Sequence, residues 1–400
     1  MKFKMLILGV LLVSCGKSDF PVDDNVTFYD DDRFMFYDDL VIDYEDSEML
    51  DDESLMITGY TDTRDQAVLL IDSSRSNTNM QLIDNQTSGL FYHSMSLLVA
   101  SKGYMSHVGT SLNSFVFFNY RIFLRRLNSN GSAGFSIAIG DNLLNQQVIS
   151  HIQLPNEDFI ILSMDVNPQR TFYIHRVTEE GDIIFSRSYL ENIDLNRFAK
   201  LKYLPEDNSI LVLNVLRNSV IGEDAVARIT ILDDTGDIKR TNDIILNRDI
   251  RFSSYDIIVQ PDGSLIFYCS VTLSSNSNDY HMKIMKLDSD LNIAWDKEFS
   301  NIEPNGISDL TVSNNNDILI LSHSRDIGEG ELDIILSRLD SDGNIKWRSV
   351  IGSNSSEIGS KIYEKENGNI LVLGSQDNGF GTSTNFRFFI LETDSNGTPI

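Results

Sequence analysis

Residues Leu339–Trp347 read LDSDGNIKW. Two aspartates, a glycine and an asparagine fall within five positions, Asp340 to Asn344. Such a run can wrap a calcium ion or turn the chain between two strands. A calcium loop of the helix-flanked kind needs oxygen ligands at alternate positions, a glycine at the sixth and a bidentate glutamate at the twelfth. Counted from Asp340 the twelfth residue is Ile351, and only Asp340 and Asp342 alternate ahead of Gly343. A hairpin turn asks for less: Asp or Asn to bond its own backbone, and Gly for a positive φ. The turn accounts for every residue in the run, and calcium is the one cofactor these acidic stretches leave open.

The run also has partners. Ile71, Leu127, Val177, Leu232, Leu287, Leu339 and Leu391 each open a similar turn, at successive spacings of 56, 50, 55, 55, 52 and 52 residues. A second element keeps step with it. Apolar runs begin at Leu55, Leu97, Phe159, Ile210, Leu265, Ile318 and Ile370. Each run is short, rich in Ile, Leu and Val, and bounded by Gly, Pro, Asn or Asp, which favours strands buried on both faces. The sixth repeat divides into four strands, ISDLTV, DILILSH, LDIILSRL and NIKWRSV, here lettered A to D. A four-stranded unit of this length cannot bury both faces alone, and radial stacking of such sheets solves the problem. Seven repeats predict an all-β, seven-bladed β-propeller of four-stranded antiparallel blades. Its first A strand is expected at DLVIDY, Asp39–Tyr44. Upstream of it, NVTFYDDDRFMFYDD (residues 25–39) is β-like and is expected to supply the missing outer strand of the last blade.

The N-terminus carries a different signal. Lys2 and Lys4 precede an apolar stretch, Met5–Leu12, too short to span a hydrocarbon core of roughly 30 Å. That is the form of a secretory signal. Leu12-Val13-Ser14-Cys15 resembles the bacterial lipobox. The resemblance implies cleavage before Cys15, acylation of that residue and a membrane anchor, since acyl chains contribute about 0.8 kcal/mol per buried CH₂. Residues 1–14 would be the signal peptide, 15–24 a lipidated tether and 25–400 the propeller domain. Gly16 stands where an aspartate would mark inner-membrane retention in enterobacterial lipoproteins, which implies the bacterial outer membrane, on its periplasmic or surface side. Lys17-Ser18-Asp19 partly resembles the export signal of Bacteroidota surface lipoproteins.

The repeats themselves resemble the PQQ-like and related propeller repeats of such lipoproteins. The likeness lies in the apolar-Asp-x-x-Gly turn followed by an aromatic residue: Phe135, Phe185, Trp295 and Trp347 stand eight residues after the apolar marker. Such aromatics are expected to pack between blades. The quinone-binding residues of the dehydrogenases have no counterpart, so no cofactor is implied.

The chain has 32 Lys+Arg against 59 Asp+Glu, a formal charge of −27. That argues against nucleic acid, whose phosphates need basic partners. Cys269 is the only cysteine besides Cys15 and reads as a small buried residue in an apolar run. The histidines His93, His107, His151, His175, His281 and His323 form no metal-binding pair by spacing. No nucleophile elbow, phosphate loop or dinucleotide fingerprint occurs. No catalytic or metal residue is therefore assigned.

Function should then reside in loops. The B–C connections are long and varied: residues 217–225, 273–281, 325–333 and 376–386. Tyr104, His107, Asp279, Tyr280, Glu329, Glu331, Asp377 and Phe380 are the expected ligand contacts. The expected role is a membrane-anchored binding or scaffold module with a protein, peptide or glycan partner. The alternative is a propeller enzyme, a polysaccharide lyase or glycosidase acting at the channel mouth.

Overall fold

A computed structural model describes residues 26–30, 34–36, 43–60, 66–75, 78–83, 91–99, 105–112, 120–127, 133–139, 146–165, 171–189, 199–216, 224–247, 249–272, 280–299, 304–324, 332–377 and 386–400. All regular structure among them is β. The strands form sheets in chain order, over residues 43–83, 91–139, 146–189, 200–245, 249–299, 304–352 and 356–393, numbered 1 to 7 here. Each runs A-B-C-D with antiparallel neighbours. The structure is thus an all-β propeller of four-stranded antiparallel blades. The expectation of seven such blades is corrected to six, because sheet 6 has five strands.

The fifth strand comes from the N-terminal segment. Val26–Asp30 pairs in parallel with the outer strand of sheet 6, Val26 opposite Arg348 and Asp30 opposite Gly352. Met35 and Phe36 then pair antiparallel with Ile390 and Phe389, supplying the outer strand of sheet 7. The segment therefore closes the last blade as expected, and also clasps the one before it. Phe34 drives the docking: it is buried and meets Phe389 edge-on, ring centroids 4.8 Å apart.

The B strands bury both faces, as in Phe159–Asp165 and Ile370–Asp377. Their side chains interdigitate between neighbouring sheets. Leu162 and Ile174 of sheet 3 share a cluster with Leu201 and Val212 of sheet 4. Leu213 and Ile229 of sheet 4 meet Ile257 and Phe267 of sheet 5. The same pattern recurs from sheet 5 to 6 and from 6 to 7. Leu55 and Ile57 of sheet 1 pack on Leu371 and Ile390 of sheet 7, so the ring closes. At that seam Tyr363 Oη donates to Ser47 O at 2.7 Å.

The turns answer the opening question. Asp340 Oδ1 accepts the amides of Asp342 (3.0 Å) and Asn344 (2.8 Å), while Gly343 N donates to Asp340 O at 2.9 Å. Asp233, Asp288 and Asp394 do the same in their own turns. Hydrogen bonds within the turn hold three of these aspartates below the usual carboxylate range: first the Asn344 amide for Asp340, the Asn292 side chain for Asp288 and the Thr235 hydroxyl for Asp233, with backbone amides adding to the last two. Gly343 sits at φ +76°, where a Cβ would lie 3.0 Å from the Trp295 ring of the preceding sheet. Phe185 and Trp347 stand in the same relation to Gly236 and Gly397. The repeat's glycine and its aromatic therefore meet across sheets, as the packing reading expects.

Three assignments are corrected. Asp394, Gly397 and their hydrogen bonds make Thr393 the seventh marker, two residues beyond Leu391. Thr393 escaped because the marker elsewhere is apolar. The first A strand is described at Asp43–Met49 and so runs past the expected Asp39–Tyr44, of which residues 39–42 lie outside the described residues. Leu97 lies in the A strand of sheet 2, Phe91–Val99, and not in a B strand. The B strand there is Met105–Leu112, whose MSHVGTSL sequence lacks an apolar run.

Candidate functional site: the charged channel

The inner A strands are Asp43–Met49, Phe91–Val99, Gln146–Gln153, Lys200–Leu204, Asp249–Val259, Pro304–Val312 and Ser356–Glu364. Side chains alternate along a strand. Ser47, Leu201, Ile257, Leu310 and Ile362 occupy one register level and are buried between sheets. The flanking levels are half-buried at the inner edges of the sheets. One level comprises Glu48, Ile152, Lys202, Ile258, Thr311 and Tyr363. The other comprises Asp46, Ser150, Lys200, Asp256, Asp309 and Lys361.

Several of these groups serve the scaffold. An inner strand leaves one row of amides without a strand partner, and polar side chains of the preceding sheet meet them. Ser150 Oγ accepts Leu201 N at 3.0 Å, and Asp309 Oδ2 accepts Ile362 N at 3.0 Å. Lys202 Nζ lies 3.2 Å from Asp256, and Lys361 Nζ 4.0 Å from Asp309. Both ion pairs therefore join adjacent sheets, 4 to 5 and 6 to 7.

The crowding shifts acidities. Burial pushes Glu48 up to about 7, and the neighbouring charges of Asp46 and Asp309 add to it against Lys361 and Lys202. Burial also raises Asp309, opposed by Lys361. Asp256 goes the other way: burial would raise it, but Lys202 and Lys200 outweigh that and hold it low. One carboxyl poised near neutrality beside ionised ones marks a functional-site candidate with a physical cause.

Of the expected contacts that are described, His107, Tyr280 and Asp377, none lies on an inner A strand. Cys15, Tyr104, Asp279, Glu329, Glu331 and Phe380 lie outside the described residues. His107 is a correction: it is inside strand B of sheet 2, opposite Leu97 and Arg125, and not in a loop. Tyr280 opens strand C of sheet 5 opposite Thr272. Asp377 ends strand B of sheet 7 opposite Ser356 and Phe386, at the root of a B–C connection. Beside that root Glu357 is fully buried and accepts hydrogen bonds from Ser353 Oγ (2.6 Å) and Gln376 Nε2 (2.7 Å). Elsewhere Ser163 Oγ lies 3.0 Å from His175 Nε2, but Ser163 has no exposure and burial pulls His175 down to about 4. That pair is sealed in the sheet and offers no accessible nucleophile. Among the described residues no three His, Cys, Asp or Glu side chains converge as a metal site.

The fold defines a β-propeller, and comparison with known structures agrees. No family model matches the chain, and no curated sequence relative matches it. Among solved structures, the BP39L lectin from Burkholderia pseudomallei is similar over 88% of this chain and 96% of its own, at 10% identity and a TM-score of 0.54. The β-propeller domain of the Trilobed protease from Pyrococcus furiosus, which has an open velcro topology, covers 89% and 96% at 11% identity and a TM-score of 0.50. Puromycin hydrolase is similar over 89% of this chain at 10% identity and a TM-score of 0.58; the chain spans only 53% of that enzyme. Identities this low establish the fold alone.

Proposed function

We propose that this protein is a propeller binding or scaffold module, held at the bacterial outer membrane by a lipid on Cys15. Its protein, peptide or glycan partner docks on the face that carries the B–C and D–A connections. The observation that supports this reading is the asymmetry of the two faces. On the A–B and C–D face the turns are short, bond their own amides and lock onto the next sheet. Their side chains are committed to the scaffold. The opposite face carries the longer B–C connections, rooted on buried polar groups such as Glu357. A rigid ring with one committed face and one open face is the arrangement on which binding loops are displayed.

The test has two arms. Alkyne-palmitate labelling should mark the wild-type chain and not Cys15→Ala, and protease shaving of intact cells should place the chain inside or outside. Glycan and peptide arrays, probed with the chain lacking residues 1–14, should give signals that vanish when residues 325–331 or 378–385 are replaced by Gly-Ser. They should survive Lys297→Ala on the opposite face. Signals unaffected by either loop replacement would end the loop-face reading.

A second reading, polysaccharide cleavage at the channel, draws on Glu48 alone: a carboxyl near neutrality suits general acid–base work. A screen for new reducing or unsaturated ends, lost in Glu48→Gln, decides it.

A further inference from the structure

The N-terminal segment docks with a direction. Strand D of sheet 6, Ile345–Gly352, begins at its C–D turn and ends at the loop face. Val26–Asp30 lies parallel to it, Val26 opposite Arg348 and Asp30 opposite Gly352. The chain ahead of Val26 therefore enters from the turn side. From Arg348 back to Ile345 is about 10 Å, and the loop end of the strand is about 14 Å the other way. Residues 15–25 precede Val26, a length that spans at most about 40 Å. To bring a lipid on Cys15 to the loop face, the chain would have to reverse at Val26, run back along the rim and pass the B–C connections.

The rim at the turn side is also apolar. The first residue of strand D is isoleucine in four consecutive sheets: Ile183, Ile238, Ile293 and Ile345. The first three are 45%, 54% and 50% exposed. The carboxylates around them are paired with bases: Asp237 with Arg187, Asp207 with Lys239 and Asp290 with Arg240. Apolar side chains among paired charges suit a surface that carries no net charge itself.

We infer that the ring stands with its turn face on the membrane: the isoleucine rim of sheets 3 to 6 meets a zwitterionic lipid surface, and the loop face points away from it. The inference rests on the proposed lipid at Cys15. It narrows the loop-face partner to a molecule that approaches from the aqueous side, not a lipid or a protein embedded in the same leaflet. The rim contact need not be tight, because the anchor makes it intramolecular.

The test fixes the anchor chemically. The chain lacking residues 1–14 is coupled through Cys15 to maleimide-bearing phosphatidylcholine vesicles. Cys269 does not compete, because it is buried and burial pushes its thiol up. Energy transfer to dansyl headgroups is read from Trp295 and Trp347, the only tryptophans. Both lie at the turn side: Trp295 Nε1 donates to Ser341 O at 3.1 Å, and Trp347 lies against Gly397. Asn354 is exposed just past the loop end of the same strand, about 20 Å from Trp347, and Asn354→Trp adds a donor there. Across that distance the native pair should transfer roughly threefold more than the added residue. Ile183→Ser, Ile238→Ser and Ile293→Ser together should lower transfer from the native pair and leave Tm unchanged. Equal transfer from both sites, or stronger transfer from Asn354→Trp, overturns the orientation. Unchanged transfer in the triple variant overturns the rim contact. Palmitate labelling of Cys15 tests the anchoring reading by itself, and chemical coupling lets the vesicle result be read whichever way that label falls.

Discussion

At the scale of single residues, the acidic turn is a device for closing a hairpin. Asp340 devotes Oδ1 to two amides of its own turn, and Gly343 supplies the left-handed φ beneath Trp295. Gly343→Ala should therefore cost about 1–2 kcal/mol from the backbone alone, with the ring contact adding to it. Urea unfolding measures this, and an unchanged midpoint would show that the turn relaxes freely. Leu291 and Arg75 occupy the same place at φ 69° and 60° without glycine. Leu291 tolerates this because it is buried in the cluster between sheets 4 and 5, and burial of a leucine is worth about 1.5–3 kcal/mol. Leu291→Gly should accordingly lose less than an ordinary buried leucine, since backbone relief offsets part of the cavity. The turn was legible because its aspartate and glycine recur at a fixed interval. The channel carboxylates were not. Among 59 acidic residues, the pair Asp46 and Glu48 stands out only once Ser47 is known to face the core.

At the scale of elements, the sheets are held to one another by charges of very different value. Arg338 of strand C in sheet 6 reaches Asp317 at 2.7 Å, Glu364 at 3.2 Å and Ser395 O of the next sheet at 3.2 Å. Both side chains of each ion pair are under one-tenth exposed: 8% for Arg338 and 7% for each acid. Removing a buried partner strands the charges it compensated, so Arg338→Ala should cost about 3–5 kcal/mol. Arg187 meets Asp237 at 2.6 Å in the same sense between sheets 3 and 4, but at 43% and 61% exposure. Arg187→Ala should then cost under about 1 kcal/mol. Equal losses in denaturant melts would refute this ranking by burial. The N-terminal strands are the other fastening. Phe34→Ala empties a buried site against Phe389 and should lower stability by about 3–5 kcal/mol. The repeat made most strands readable, because buried B strands are continuous apolar runs. It failed in sheet 2, whose B strand alternates polar residues, and so misplaced His107. It also foresaw a single role for the N-terminal segment, since nothing in residues 26–30 distinguishes a parallel partner on sheet 6 from an antiparallel one on sheet 7.

At the scale of the whole molecule, a closed ring couples these local charges into one pH profile. His151 and His175 are buried, and burial pulls them down to about 3 and about 4 from an ordinary 6.5. Below pH 6.5 the unfolded chain takes up protons that the folded ring refuses, so their contribution is lost as pH falls. Glu48 has the opposite sign. Its folded value of about 7 lies above the ordinary 4.5, so between those limits the folded state holds more protons than the unfolded one. Stability from Glu48 is therefore full below about pH 4.5 and falls as pH rises toward 7. Each group contributes about 1.4 kcal/mol per pH unit within its window. At pH 7 the gain from Glu48 on acidification and the loss from the two histidines, whose ordinary value is 6.5, nearly cancel. Below pH 7 the two histidines outweigh it, and below 4 the turn aspartates, held low by side-chain and backbone hydrogen bonds within their turns, add to the loss. The ring should be most stable near pH 7 and above, with a nearly flat profile to pH 8 and a steep decline toward pH 4. Glu48→Gln should raise the urea midpoint at pH 8 and make stability rise with pH from 7 to 8, while the acid limb stays and becomes steeper between pH 6.5 and 4.5. A variant whose midpoints parallel the wild type from pH 5 to 8 would show that Glu48 does not carry the channel's titration.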